Sequence, residues 1–163
     1  MSFDKYSVAF TVNGHDVTLD VSARTSLAEA LRNELGLTGT HIGCEHGVCG
    51  ACTILLDGEP VRSCLLFAAQ LDGASVISIE GLTRDGQQHP VQSAFRECHA
   101  LQCGFCTPGM VLTVAAFLDR NRSVTEQSVR EAISGNLCMC TGYQNIVRAA
   151  LRAAETMNGK KAQ

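Results

Sequence analysis

The 163-residue sequence has no tryptophan, three prolines and only 5% aromatic residues. Long apolar runs are also missing. The most hydrophobic stretch, residues 110–117, is interrupted by Thr113 and is far shorter than the ~20 residues that a membrane-spanning helix requires. We therefore expect no membrane span, and the 45% hydrophobic content predicts packed cores.

Positive charge is scarce as well. Thirteen lysines and arginines stand against sixteen acidic residues, for a net charge of −3, and the pair Lys160 and Lys161 is too short for a basic patch. Nucleic acid is therefore excluded as a partner. Residues 1–5 show neither a basic segment nor an apolar segment of a signal peptide, which predicts a cytoplasmic protein.

Recognisable bond-breaking motifs are absent too. The sequence contains no glycine-rich dinucleotide fingerprint, no P-loop, no nucleophile elbow and no paired-carboxylate arrangement. We expect no catalytic residue and no substrate-converting site on this chain.

Cysteine, in contrast, is abundant. The chain has nine cysteines, an odd number, in a sequence of ordinary length without an export signal. A disulfide framework is typical of short secreted chains, so this pattern indicates metal or cluster ligation in a reducing compartment.

Four cysteines follow the spacing C-x4-C-x2-C-x11-C, which is that of a plant-type [2Fe-2S] ferredoxin. A Rieske centre is excluded, because His46 has no second histidine at the required place. We call this set the first cysteine group; its members are Cys44, Cys49, Cys52 and Cys64.

Three glycines lie in the same loop, at Gly43, Gly47 and Gly50. A cluster that carries sulfide must be approached by backbone N–H groups, and glycine allows that approach because it has no side chain. We predict that these glycines shape the cluster loop.

A second cysteine group combines C-x2-C with C-x-C, each just before a predicted helix; its members are Cys103, Cys106, Cys138 and Cys140. The partial positive charge of a helix N-terminus favours thiolates and an anionic cluster. Tetrahedral zinc also takes four thiolates, so from the spacing alone both iron-sulfur and zinc remain open.

The first half of the chain predicts a mixed sheet crossed by a helix. Asn13-Gly14 and Asp57-Gly58 are hairpin turns, and residues 76–79 form a further strand. Thr25 or Ser26 caps a helix that ends at Gly36, and Ser26 and Glu29 have the spacing of a capping box. A polar segment ends this pattern, which predicts domains over residues 1–81 and 88–163.

The second half predicts four short helices, and hence a four-helix bundle. They start near Val91, at Thr107 as N-cap before Pro108, at Thr125 as N-cap, and at Gln144, the last running to about residue 154. The fold class expected from the whole sequence is therefore α+β.

Four longer motifs carry a family resemblance, which spans about residues 6–155. They are His41 to Cys44, Cys49 to Cys52, Gln102 to Gly109 and Gly135 to Tyr143. With them the chain resembles the small iron-sulfur subunit of molybdenum hydroxylases, the xanthine oxidase family, similar to the small subunits of carbon monoxide dehydrogenase and quinoline oxidoreductase.

This resemblance implies a plant-ferredoxin-like (β-grasp) domain followed by the helical domain, each with one [2Fe-2S] cluster. It implies partners: a large subunit with molybdenum on molybdopterin, as the cytosine dinucleotide, and a medium subunit with FAD, in a dimer of heterotrimers. Electrons would enter through the second cysteine group and leave through the first.

Three residues take roles from the same resemblance. Gln102 matches a glutamine that contacts the pterin, and Cys140 matches a ligand whose neighbourhood touches it. Met139 is a departure, because the family usually has arginine between the last two ligands, so a charge near that cluster is lost.

Two other functions remain open from the sequence. One is a free two-cluster ferredoxin that diffuses between partners, and the other is a binding module folded on structural zinc. The ninth cysteine, Cys98, lies on a predicted amphipathic helix and is interpreted as a core residue.

Overall fold

The computed structural model describes residues 5–121 and 123–161, without the side chains of 160 and 161. The predictions made for residues 1–4, and the outer ends of both predicted domains, lie outside the described residues.

A β-hairpin opens the described chain. Strands β1 (Lys5–Val12) and β2 (His15–Ser22) pair antiparallel, with Val12 opposite His15. Asn13 and Gly14 between them have φ of 53° and 83°, the positive values that a type I′ turn demands. The prediction of this hairpin is confirmed.

Three further strands complete a five-stranded sheet: β3 (Thr53–Leu56), β4 (Glu59–Arg62) and β5 (Ser75–Ile77). The strand order is β2-β1-β5-β3-β4, with β1 and β5 parallel and the other pairs antiparallel. The sheet is therefore mixed, as predicted. The strand predicted to reach residue 79 ends at Ile77, because Ile79 starts a 3₁₀ turn and packs against the helical core.

One helix crosses this sheet. Helix α1 (Leu27–Glu29) continues as a π-helical turn over Ala30–Glu34, and Ser26 and Glu29 form the predicted capping box. Leu27 and Leu31 are fully buried against the sheet. This apolar contact fixes the end of the helix from which the first cysteine loop departs.

Four α-helices follow residue 89: α2 (Pro90–Glu97), α3 (Thr107–Arg120), α4 (Glu126–Ala132) and α5 (Gln144–Lys161). Two predicted details are wrong. Cys106, not Thr107, is the N-cap of α3, and α5 continues past residue 154, because Met157 extends its buried stripe. The largest fully buried side chains of this half are Val91, Phe95, Met110, Leu112, Val114, Val129 and Ile146.

The two halves of the chain share a small apolar contact. Leu112 and Ala116 of α3 pack against Leu55 of β3. The segment between the halves forms a tight turn, in which Arg84 and Gln87 exchange backbone hydrogen bonds of 3.2 and 2.8 Å. A mixed sheet with a helical part confirms the predicted α+β class.

Backbone comes very close to backbone where α3 begins. A Cβ atom added to Gly109 would lie 2.5 Å from the carbonyl oxygen of Gly50 and 3.0 Å from that of Ala51. Glycine is therefore required at position 109, and this contact sets the distance between α3 and the first cysteine loop.

Within the described parts of the chain, no helix has both the length and the hydrophobicity needed to cross a bilayer.

Gly109→Ala should destabilise the protein, although alanine is the better helix former. The new methyl group meets rigid backbone, and overpacking of this kind costs about 1–3 kcal/mol. Gly159→Ala is the matched control: Gly159 also lies in a helix but has open space around it, so it should gain ~0.5–1 kcal/mol. Denaturant unfolding of both variants measures the difference, and equal effects would contradict the close contact.

Candidate functional site

The first cysteine group gathers at one end of the sheet. Cys44, Cys49 and Cys52 lie on the loop before β3, and Cys64 lies in a 3₁₀ turn just after β4. The β3–β4 hairpin returns the chain, and the side chain of Ser63 donates a 2.7 Å hydrogen bond to the Cys52 carbonyl oxygen. The eleven-residue gap in the spacing is thus the length of this hairpin.

Within this group the thiols meet in pairs. The Cys44 thiol contacts that of Cys49, and the Cys52 thiol contacts that of Cys64. The two pairs also interact electrostatically, through Cys49 with Cys52 and through Cys64 with Cys44. All four predicted members therefore lie together.

Backbone N–H groups surround these sulfur atoms. The Cys49 N–H donates to the Cys44 sulfur at 3.4 Å, and together with the His46 backbone it lowers the pKa of Cys44 to about 6. Burial raises the pKa of Cys64 to about 11 and also raises that of Cys49, although backbone N–H groups oppose both shifts. N–H donors of this kind stabilise an anionic sulfur cluster.

The predicted loop glycines each face a close neighbour. A Cβ atom on Gly43 would lie 3.1 Å from the Cys49 sulfur, and one on Gly47 would lie 2.5 Å from the side chain of Leu65. Gly50 has φ of +74°, and its Cβ would meet the Gly135 carbonyl oxygen at 2.5 Å. A side chain is therefore excluded by rigid backbone at Gly50, whereas at Gly47 the positive φ of 82° is what favours glycine.

The second cysteine group gathers between the starts of α3 and α5. Cys106 caps α3, Cys103 precedes it by three residues, and Cys138 and Cys140 lie on the loop between α4 and α5. The thiols again meet in pairs, Cys106 with Cys138 and Cys103 with Cys140. All four predicted members of this group also lie together.

The environments of these two pairs differ. Burial raises the pKa of Cys106 to about 12. Burial acts in the same sense on Cys138, but hydrogen bonds from Thr141, from the Cys140 backbone and from Cys106 together outweigh it and lower the pKa of that thiol. The Phe105 N–H lowers the pKa of Cys103, whereas the contact with Cys103 raises that of Cys140. Each pair thus joins one thiol of lowered pKa with one of raised pKa.

Exposure also separates the two pairs. Cys103 and Cys140 are exposed, as is Gln102 beside them, whereas Cys106 and Cys138 are half-buried. The second group therefore has an outer side, where Gln102 lies, and an inner side.

The inner side touches the first cysteine loop. The Leu137 N–H donates a 2.8 Å hydrogen bond to the Cys49 carbonyl oxygen. The residue before Cys138 is therefore bonded directly to a member of the first group. A second contact is made by His41, whose Nδ1 hydrogen-bonds the Phe105 carbonyl oxygen at 2.8 Å while its ring stacks on Phe105. The two cysteine groups are therefore neighbours.

Sequence reasoning missed one polar residue here. Asn136 is 2% exposed and lies between the two cysteine loops, hydrogen-bonded to Gly50 and Thr53. One indication of its importance was visible in the sequence, because Asn136 lies two residues before Cys138 in the motif from Gly135 to Tyr143. Cys98 is partly buried and packs against the helical core, in agreement with its interpretation as a core residue.

The donor set fits two dinuclear iron-sulfur clusters. The eight thiols form two sets of two pairs, each with N–H groups directed at sulfur. A [2Fe-2S] cluster takes four cysteines, two on each iron, in this kind of arrangement.

Comparison with known proteins gives two domain matches. Residues 10–78 match the model of a 2Fe-2S iron-sulfur cluster binding domain, and residues 78–151 match that of a [2Fe-2S] binding domain. Each matched range contains one of the two cysteine groups.

Whole-chain relatives agree with these matches. The chain is 50% identical over 159 residues to the caffeine dehydrogenase subunit gamma of Pseudomonas sp. (strain CBB1), covering 96% of this chain and 95% of that one. It is 53% identical over 157 residues to the nicotine 6-hydroxylase small subunit of Paenarthrobacter nicotinovorans, covering 96% and 94%.

A solved structure is equally similar. A chain in the crystal structure of quinoline 2-oxidoreductase from Pseudomonas putida 86 superposes with a TM-score of 0.90 at 48% identity, covering 94% of this chain and 96% of that chain. With both domain matches and near full-length relatives, the chain belongs to the small [2Fe-2S] iron-sulfur subunits of the xanthine oxidase family of molybdenum hydroxylases.

Proposed function

We propose that this subunit passes electrons from a molybdenum-pterin site on a large subunit to FAD on a medium subunit, through two [2Fe-2S] clusters of its own. The observation that carries the proposal is the direct contact between the two cysteine groups through the Leu137 N–H and the Cys49 carbonyl oxygen. Each cluster, when bound, supplies a carrier of one electron.

The thiol pairs suggest which cysteines share an iron. In the first group, Cys44 with Cys49 and Cys52 with Cys64 each offer two sulfur atoms in contact. In the second group, the corresponding pairs are Cys103 with Cys140 and Cys106 with Cys138. We assign one iron to each of these four pairs.

Exposure supports a direction for the electrons. The exposed side of the second group, with Gln102, Cys103 and Cys140, is the side open to a large subunit, and there Gln102 and Cys140 would meet the molybdopterin. Phe105 and Leu137, which precede the half-buried Cys106 and Cys138, hydrogen-bond to His41 and to Cys49 of the first group. The first group then delivers electrons to the medium subunit.

Exposed apolar side chains support docking between partner subunits. Val48 and Leu65 lie beside the first group and are 58% and 57% exposed, while Met139 lies beside the second and is 96% exposed. The similar proteins of the caffeine and nicotine enzymes are named as subunits. We propose the same for this chain, with the molybdopterin as cytosine dinucleotide and the assembly as a dimer of heterotrimers.

The remaining parts of the proposal concern the chain itself. We propose two domains that divide at the turn of residues 82–87, the second packed as a four-helix bundle, and a place in the cytoplasm. The subunit contributes no catalytic residue; its cysteines, N–H groups and loop glycines hold the carriers in place.

Metal analysis tests the proposal against the zinc alternative. Full-length protein purified anaerobically should contain about four iron and four sulfide per chain, and after reduction should show two distinct paramagnetic signals. Zinc in place of one cluster, or a single signal, would contradict it. A free ferredoxin would purify without flavin or molybdenum partners, whereas this subunit should purify with both.

Cys106→Ser tests the direction of transfer in the assembled complex. Because Cys106 belongs to the inner pair of the second group, substrate should still reduce molybdenum while reduction of the flavin is lost, since the electron path through the second cluster is broken. Cys98→Ser is the matched control, since Cys98 lies outside both groups and should leave flavin reduction unchanged. Flavin reduction at the normal rate in Cys106→Ser would show that the order is wrong.

Met139→Arg tests the charge that this chain lacks. A cation beside the second group stabilises the reduced, more negative cluster, so its reduction potential should rise by a few tens of mV, limited by solvent screening at this exposed position. Met139→Gln adds polarity without charge and should shift the potential little. A redox titration followed by paramagnetic resonance measures both, and equal potentials would contradict an electrostatic role.

A further inference from the structure

The amide of Asn136 lies between the two cysteine loops and is almost completely buried, at 2% exposure. Its Nδ2 donates to the Gly50 carbonyl oxygen at 3.0 Å and to the Thr53 hydroxyl oxygen at 3.2 Å. Its Oδ1 faces two donors, the Arg62 guanidinium at 3.5 Å and the Thr113 hydroxyl at 3.1 Å, and the single hydrogen of that hydroxyl is shared with the Gly109 carbonyl oxygen at 2.9 Å. One side chain therefore binds the first cysteine loop, β3 and α3 together.

The orientation of this amide follows from its partners. The Thr53 hydroxyl donates its one hydrogen to the Gly50 carbonyl oxygen at 2.6 Å, so towards Asn136 it can only accept. Both groups facing Nδ2 are therefore acceptors, and the NH₂ group must point towards them.

Arg62 closes the network from the other side. Its guanidinium donates to the Thr53 hydroxyl oxygen and to the Gly135 carbonyl oxygen, each at 2.6 Å. These bonds hold Gly135 next to Gly50, where a Cβ atom on Gly50 would approach the Gly135 oxygen to 2.5 Å. The network thus has a buried amide at its centre and a cation at its edge.

The position of this network bears on the contact between the two groups. Gly50 follows Cys49, and Asn136 precedes Leu137, so the Asn136–Gly50 hydrogen bond lies directly beside the bond from the Leu137 N–H to the Cys49 carbonyl oxygen. Loss of the amide would leave the Gly50 carbonyl oxygen with fewer donors and allow the two loops to separate.

We propose that Asn136 is a positioning residue for electron transfer between the two clusters. It binds neither cluster; it holds the Leu137 N–H on the Cys49 carbonyl oxygen and so fixes the separation of the two cysteine groups. This inference rests on the proposed function, because it assigns a role only if both groups bind clusters.

Asn136→Leu tests the role, because leucine has nearly the same shape as asparagine but lacks the amide that makes these hydrogen bonds. The full chain should keep about four iron and two paramagnetic signals. The magnetic interaction between the two reduced clusters should weaken, and electron transfer from one cluster to the other should slow severalfold, because the rate of electron tunnelling falls exponentially with the distance between the clusters. Hydrogen exchange of the segment containing the Leu137 amide should become about tenfold faster.

The matched control is Asn145→Leu. Asn145 also donates from its amide to a carbonyl oxygen, that of His99 at 3.2 Å, but outside the contact between the loops. It should leave the magnetic interaction and the exchange of the Leu137 segment unchanged.

The outcomes separate this inference from the proposed function. Unchanged magnetic interaction and exchange in an Asn136→Leu chain with both clusters would overturn the role of Asn136 and leave the proposed function intact. Wild-type protein without two clusters would overturn both.

A second variant covers the case in which Asn136→Leu binds no iron. Thr113→Val removes the hydroxyl that lies 3.1 Å from Asn136 Oδ1 but keeps the amide on Gly50. It should weaken the magnetic interaction to a smaller extent, and an unchanged interaction there would overturn the role.

Discussion

The structure depends on one backbone contact, in which the loop of the first cysteine group lies directly against the loop of the second. Gly50 and Gly109 permit that approach because each would otherwise place a methyl group about 2.5 Å from a carbonyl oxygen. The hydrogen bond from the Leu137 N–H to the Cys49 carbonyl oxygen then joins the loops. Sheet, helices and capping residues serve to bring these two segments together.

This contact also explains how an acidic protein can hold two anionic centres side by side. Backbone N–H groups point at the sulfur atoms in both loops, and the start of α3 adds its partial positive charge at Cys106. Arg62 places a full positive charge at the junction between the groups. Charge neutralisation therefore comes largely from local dipoles, while the net charge of the chain stays at −3.

Local signals in the sequence predicted much of this architecture. Asn13-Gly14, Asp57-Gly58 and the Ser26 capping box each act within a few residues, and all three form as expected. Both sets of cysteines were also visible as spacings. The pairing of thiols and the inner and outer sides of the second group were not, because they arise from packing between distant segments. Asn136 was missed for the same reason, since its partner Gly50 lies 86 residues away.

The most direct test of the account is anomalous diffraction from crystals of the intact complex, measured at the iron and zinc absorption edges. The account predicts four iron positions in two pairs on this subunit, one pair among Cys44, Cys49, Cys52 and Cys64 and the other among Cys103, Cys106, Cys138 and Cys140. A single zinc position in either group, or iron in only one of them, would contradict it.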